Sequence, residues 1–170
     1  MRVKHVIVEK PFTVTLAEAK ELQELAVKHE CMLFEAILSR YSKNYEHLKD
    51  ELVKIGKIKL VQANFSKYSS RYDEFRKGII TPTFDKAHGG GSLMDLNVYN
   101  IHFVVGLFGL PKNGTVLSKP SRKWCRYIRH IDYGLSRRFR RYVLLRKIQT
   151  SDPFVIIQAE DGTIVYPERL

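Results

Sequence analysis

His5-Val6-Ile7-Val8-Glu9-Lys10-Pro11 opens the chain with a short β-branched apolar run that ends in two charges and a proline. An apolar run without alternation is the pattern of a strand buried in a parallel sheet. A helix signal follows. Thr15 and Glu18 have the T-x-x-E spacing of a capping box, and Leu16, Ala19, Leu22, Leu25 and Ala26 recur at helical intervals. Cys31 to Leu38 reads as a second buried strand, with Cys31 a small core residue. Asn44 to Ile55 reads as a charged amphipathic helix with Leu48, Leu52 and Val53 inward, stopped by Gly56. Strand, helix, strand, helix is the grammar of parallel βα units.

Beyond Gly56 the pattern changes. Ile58 and Leu60 alternate with lysines, as in a half-exposed strand. Tyr68 to Lys86 is polar, with interspersed aromatics and a Thr-Pro-Thr turn. Gly89-Gly90-Gly91 is a break. Ser92 is positioned to cap the next helix with Asp95 as its box partner, and Leu93 to Phe108 is apolar on most sides, predicting a buried helix. Phe154 to Tyr166 predicts a hairpin turning at Asp161-Gly162. The predicted fold class is α/β followed by α+β. The resemblance set out below implies that residues 1–55 are the rear part of a Rossmann-type parallel sheet and that residues 56–170 form a domain with an open, mostly antiparallel sheet.

The 170 residues carry a net charge of +11. The excess is local. From Lys112 to Thr150 twelve Lys/Arg face Asp132 alone, while seventeen bases and seventeen acids balance in the rest. A uniformly basic nucleic-acid binder is therefore disfavoured. The longest apolar stretch, Ile101 to Leu110, is interrupted by His102, Gly106 and Gly109 and is too short to span a bilayer. Cys31 and Cys125 give neither a disulfide framework nor metal-ligand spacing. With no leader layout at Met1, a reduced cytoplasmic setting is expected.

Three stretches, in this order, resemble the Gfo/Idh/MocA oxidoreductases, the relatives of glucose–fructose oxidoreductase and inositol dehydrogenase. The first is Val6-Ile7-Val8-Glu9-Lys10-Pro11, similar to the family's strand ending in Glu-Lys-Pro. The second is Phe34-Glu35-Ala36, followed by Arg40 and Asn44-Tyr45. The third is Gly89-Gly90-Gly91-Ser92-Leu93-Met94-Asp95-Leu96-Asn97-Val98-Tyr99-Asn100-Ile101-His102, then Leu107-Phe108-Gly109. The family writes this last one as a glycine run, a small residue and Leu, then Asp-x-Gly-x-His/Tyr. The likeness spans residues 3–111.

The resemblance implies NAD- or NADP-dependent hydride transfer on a sugar, polyol or related carbinol, and a homo-oligomer formed through the C-terminal sheet. It implies that Glu9 and Lys10 meet the cofactor and that Lys10 also assists catalysis. Ligands sit beyond the carboxyl ends of parallel strands, and a cation there stabilises developing alkoxide charge. Tyr99 takes the family's acid/base position. A phenol titrates near pH ~10, and a neighbouring ammonium such as that of Lys10 lowers it. Asp95 lies four residues before Tyr99, on the same helical face, and is expected to position substrate. Asn97 stands where the family has glycine and is a candidate substrate contact. Arg40, just past the second strand, is another, with a solvated surface arginine as the plain alternative. His102 reads as a core or supporting residue. No metal site is expected.

No G-x-G-x-x-G follows a strand in this sequence, so the pyrophosphate cradle of a dinucleotide fold is expected to lie outside it. The isolated chain is therefore expected not to turn over. The resemblance also breaks from Lys112 to Thr150, where the family has strands. Codons for Lys123 to Phe139 can be chosen so that a one-base shift spells Asn-Gly-Val-Asp-Thr-Ser-Gly-Thr-Leu-Thr-Met-Asp-Tyr-Pro-Glu-Asp-Phe, a plausible strand pair. A double frameshift in the gene is the expectation. The rival readings are a non-enzymatic interaction module and a nucleic-acid patch in the basic segment.

Overall fold

The computed structural model describes residues 4–65, 68–111, 114–120, 126–133, 140–144 and 154–166. The chain packs as two compact units, Met1–Ile37 and Leu38–Leu170. The division falls before Leu38 and not at the expected Gly56. The reason is that Tyr45 and Leu48, on the helix between these points, belong to the core of the second unit.

In the first unit, β1 (Val6–Glu9) and β2 (Leu33–Ala36) pair in parallel, with Glu9 opposite Ala36, and α1 (Leu16–Lys28) connects them. The capping box is formed as expected. Thr15 Oγ1 accepts from the Glu18 amide at 3.2 Å, and Glu18 Oε2 accepts from the Thr15 amide at 2.9 Å. The two strands are not buried, contrary to the expectation from their composition. Ile7 is 74 % exposed, Leu16 is 71 % exposed, and no residue of α1 is buried. Two strands and one helix are too few layers to cover both faces of a parallel pair. Cys31 is only partly buried; its thiol donates to the His29 carbonyl in the turn before β2.

In the second unit, α2 (Lys43–Leu52) starts at Ser42, whose hydroxyl accepts from the Tyr45 amide at 3.1 Å. Leu48 is buried as expected, while Val53, just past the helix, is 84 % exposed. Its place one residue beyond Leu52 turns it off the inward stripe. Next come β3 (Ile58–Asn64), the short α3 (Tyr72–Arg76), a π-helical turn (Leu93–Asn97) running directly into α4 (Val98–Phe108), then β4 (Gly114–Pro120), β5 (Arg126–Tyr133), β6 (Arg140–Leu144), β7 (Phe154–Ala159) and β8 (Thr163–Tyr166).

One sheet has the order β6-β3-β7-β8. β3 runs parallel to β6 and antiparallel to β7, and β7 and β8 form the expected hairpin, closed by the Ala159 amide on the Gly162 carbonyl at 2.9 Å. β4 and β5 make a separate antiparallel pair. Three strands thus run through the basic segment where the family resemblance implies strands. The rest of that segment, including residues 123–125 and 134–139 of the frame-shifted reading, lies outside the described residues. Val61, Ala63, Val155 and Ile157 from the sheet pack with Phe103 and Val104 of α4, all 0–1 % exposed. Alternate residues of a strand share a face, so this core forms on one side of the sheet. Tyr72, Phe75 and Phe84 make a second, small aromatic cluster.

Candidate active site

Each unit carries candidate residues of its own, placed by different local rules.

In the first unit the parallel pairing brings the ends of β1 and β2 to one side, where Glu9 is exposed and Lys10 half-buried. The turn after Lys10 is fixed by Glu35 of β2. Its Oε1 accepts from the backbone amide of Phe12 at 2.9 Å. Glu35 stands in the Phe34-Glu35-Ala36 stretch that carries the resemblance, but nothing in the sequence gives its contact. Its partner is 23 residues away, so only the pairing of β1 and β2 reveals it. Carboxyl ends of parallel strands with a half-buried ammonium fit the nicotinamide-bearing end of a dinucleotide. The pyrophosphate needs a glycine cradle that this stretch does not supply.

In the second unit the glycine run is sewn to the loop before it. The Gly90 amide donates to the Asp85 carbonyl at 2.7 Å, and the Gly91 amide to the Thr83 carbonyl at 2.9 Å. A Cβ on Gly90 would meet the Pro82 carbonyl at 2.5 Å and the Asp85 backbone at 2.6 and 2.7 Å. Gly91 has φ +118°, a conformation that side-chain-bearing residues rarely adopt. In the same loop Asp85 accepts from the Ala87 amide at 3.0 Å and meets His88 Nδ1 at 2.7 Å. The Ala87 bond first, then His88, holds the Asp85 carboxyl below the usual carboxylate range.

The expected Ser92–Asp95 box does not form. Ser92 is already helical (φ −63°, ψ −26°), whereas a capping residue needs extended backbone. Its hydroxyl is buried and has no hydrogen-bond partner among the described residues. The Asp95 amide instead donates to the Gly91 carbonyl at 3.0 Å, and the turn widens to π geometry, closed by the Val98 amide on the Leu93 carbonyl. Such single wide turns occur often at functional sites.

Asp95 and Tyr99 lie one turn apart and are both half-buried. The Tyr99 ring packs against Phe65, just past β3, with centroids 5.2 Å apart. Asn97 does not join them. It projects from another face and is 0 % exposed. Its Oδ1 accepts from Asn100 Nδ2 at 3.4 Å, and Asn97 Nδ2 and Asn100 Oδ1 find no partner among the described residues.

Arg40, in the 3-10 turn Leu38–Tyr41, is exposed. Its Nε and Cζ lie 3.0 and 3.3 Å from where a Cβ on Gly106 would be. The fully buried Tyr45 reaches the same spot and donates its hydroxyl to the Phe103 carbonyl at 3.3 Å. Burial pushes the Tyr45 phenol up, partly offset by the charge and hydrogen bond of the adjacent Arg40 guanidinium. Arg40 thus rests on α4 through a glycine and a tyrosine that sequence spacing does not connect. Among the described residues no cluster of metal-binding side chains occurs and no helix is long and apolar enough to cross a membrane.

Comparison with known proteins agrees with this geometry. Residues 1–37 match the family described as an oxidoreductase family with an NAD-binding Rossmann fold. The chain is 38 % identical over 176 aligned residues to scyllo-inositol 2-dehydrogenase (NADP(+)) of Bacillus subtilis, covering 98 % of this chain and 52 % of that protein. It is 33 % identical over 108 residues to trans-1,2-dihydrobenzene-1,2-diol dehydrogenase of Sus scrofa, covering 62 % of this chain and 30 % of that one. The fold matches the crystal structure of an oxidoreductase from Bacillus cereus with a TM-score of 0.73 at 20 % identity, over 95 % of this chain and 45 % of that one. The chain spans about half the length of the first of these relatives. On its family match, its relatives and its Rossmann-type first unit, the chain belongs to the Gfo/Idh/MocA family of oxidoreductases.

Proposed function

We propose that this chain carries the catalytic part of an NAD(P)-dependent oxidoreductase acting on a secondary alcohol of a polyol. The observation that carries the reading is Asp95 and Tyr99, half-buried one turn apart on one helical segment at the family's motif. The relatives act, by name, on an inositol and on a cyclic dihydrodiol, both of them alcohols.

Bound nicotinamide supplies the hydride acceptor at its ring carbon. The chain's own residues do the rest. Tyr99, as its phenolate, would take the hydroxyl proton of the substrate in the oxidation direction and, as the phenol, return it in the reverse direction. Asp95 accepts a hydrogen bond from a substrate hydroxyl and fixes which carbon is presented. Lys10 lends positive charge to the developing alkoxide, and Glu9 and Lys10 hold the nicotinamide end of the cofactor. The open face of the C-terminal sheet joins copies of the chain.

A chimera tests the reading. The front half of the Bacillus subtilis scyllo-inositol dehydrogenase is joined to residues 1–170 and assayed for NADP+ reduction with scyllo-inositol. Turnover is expected, and Tyr99→Phe is expected to lower kcat about 10²-fold or more. A chimera that folds and binds NADP+ but reduces none of it on scyllo-inositol or related polyols overturns the proposal. The isolated chain is expected to bind NADP+ weakly, because it lacks the glycine cradle.

A further inference from the structure

Arg40 is not explained by the reaction just described. It is an exposed arginine held in one place, and three observations bear on its use.

The first is its seat. Arg40 Nε and Cζ lie within 3.0 and 3.3 Å of the Cβ position of Gly106. Any side chain there would push the guanidinium away. Gly106 is seven residues past Tyr99, so both face the same way along α4, about 10 Å apart along the axis. The second is its tether. The Tyr45 hydroxyl, bonded to the Phe103 carbonyl, lies with Arg40 Nε against Gly106, 2.2 and 3.0 Å from its Cβ position. Tyr45 is 0 % exposed and cannot swing away. An arginine seated against a buried side chain and a glycine backbone has fewer positions open to its guanidinium fork, which lowers the entropy cost of binding a planar or tetrahedral anion. The third is charge. Among the described residues no carboxylate lies within ion-pair distance of Arg40.

We propose that Arg40 is an anion anchor: the substrate carries a carboxylate or phosphate at the end remote from its reacting carbon, and that group docks on the Arg40 guanidinium. This rests on the oxidoreductase reading and narrows it from polyols in general to acidic or phosphorylated ones. The contact is a charge-assisted, two-pronged hydrogen bond from the guanidinium, and no covalent bond to the substrate is made or broken. Tyr45 acts through Arg40 as a positioning residue.

The test is ligand binding to the intact 170-residue chain, followed by saturation-transfer NMR. The probes are gluconate and glucose 6-phosphate, each against its uncharged counterpart, sorbitol or glucose. The wild type is expected to bind the charged member of a pair about tenfold or more tightly, the size of one charge-assisted contact. Whichever pair shows the larger gap separates a carboxylate substrate from a phosphate one. Arg40→Ala should erase the gap while leaving sorbitol and glucose binding in place. Arg40→Lys should keep part of it, and raised salt should shrink it. Thermal melts of both variants report whether the fold survives, and Arg40→Lys carries the test if Arg40→Ala does not fold.

Equal binding of charged and neutral probes by the wild type overturns the proposal. So does a preference that survives Arg40→Ala, or a parallel loss of both probe types, which would make Arg40 only a staple between its turn and α4. Turnover by the chimera on neutral polyols without any anion preference sinks this inference and leaves the oxidoreductase reading standing. An Arg40-dependent anion preference in a chimera without turnover does the reverse.

Discussion

The Tyr45 hydroxyl reaches the Phe103 carbonyl at 3.3 Å while its ring meets the Phe103 ring edge-on, with centroids 5.1 Å apart. One residue thus ties α2 to α4 by both a polar and an aromatic contact, at the spot where Gly106 leaves room. Tyr45→Phe keeps the ring and removes the hydroxyl with its bond to the helix carbonyl of Phe103. It should cost about 0.5–1.5 kcal/mol. Gly106→Ala places a Cβ 2.2 Å from the Tyr45 oxygen. Alanine is the better helix former by about 1 kcal/mol, yet the clash should win and give a net loss of about 1–3 kcal/mol. Urea denaturation of both variants decides it; a stabilised Gly106→Ala protein would mean that the contact is loose.

The same phenol makes alkaline stability a readout. Burial raises the Tyr45 pKa above its usual value in the folded chain. The unfolded chain therefore loses that proton first as pH rises, so the stability Tyr45 contributes is intact below about pH 10 and is lost above it, until the folded pKa is reached. Denaturation midpoints measured from neutral to strongly alkaline pH should fall more steeply in the wild type than in Tyr45→Phe. Identical slopes would show that the hydroxyl is open to solvent.

Gly90 is predicted to be intolerant of any side chain. Its Cβ position lies within 2.7 Å of three backbone atoms of Pro82 and Asp85, which cannot rotate aside. Gly90→Ala should lower stability by about 1–3 kcal/mol and loosen the Thr81–Gly91 loop. Hydrogen exchange at the Gly90 and Gly91 amides, now bonded to Asp85 and Thr83, reads the loosening directly. Unchanged protection would contradict the close approach.

The basic segment from Lys112 to Thr150 carries the whole net charge of +11. Sequencing the gene across these codons is expected to show a second frame that spells the strand pair beginning Asn-Gly-Val-Asp, bounded by two compensating single-base changes. Peptide mass spectrometry of the natural protein showing Arg-Tyr-Ile-Arg-His in place would make the segment genuine. Generic DNA binding with a steep salt dependence would then be its first assay.

Much of this chain is legible in its sequence because the rules are local. The Thr15–Glu18 box and the hairpin at Asp161-Gly162 involve residues only a few positions apart, so spacing suffices. The Asp95–Tyr99 pair on one face follows from helical periodicity in the same way. Tertiary structure decided the rest. Glu35 reaches Phe12 only because β1 and β2 run parallel. Ser92 is overridden as a cap because the glycine run, bonded back to Thr83 and Asp85, feeds it into the helix already turned. Asn97, read as a substrate contact, is drawn inward against Asn100. Arg40 gains a fixed position only from Gly106 and Tyr45, far from it along the helix or one turn beyond it in sequence. Sequence determines what each residue can do with its near neighbours. Which distant residue fills the space beside it is settled only when whole elements pack, since burial and close approach are properties of the assembled layers.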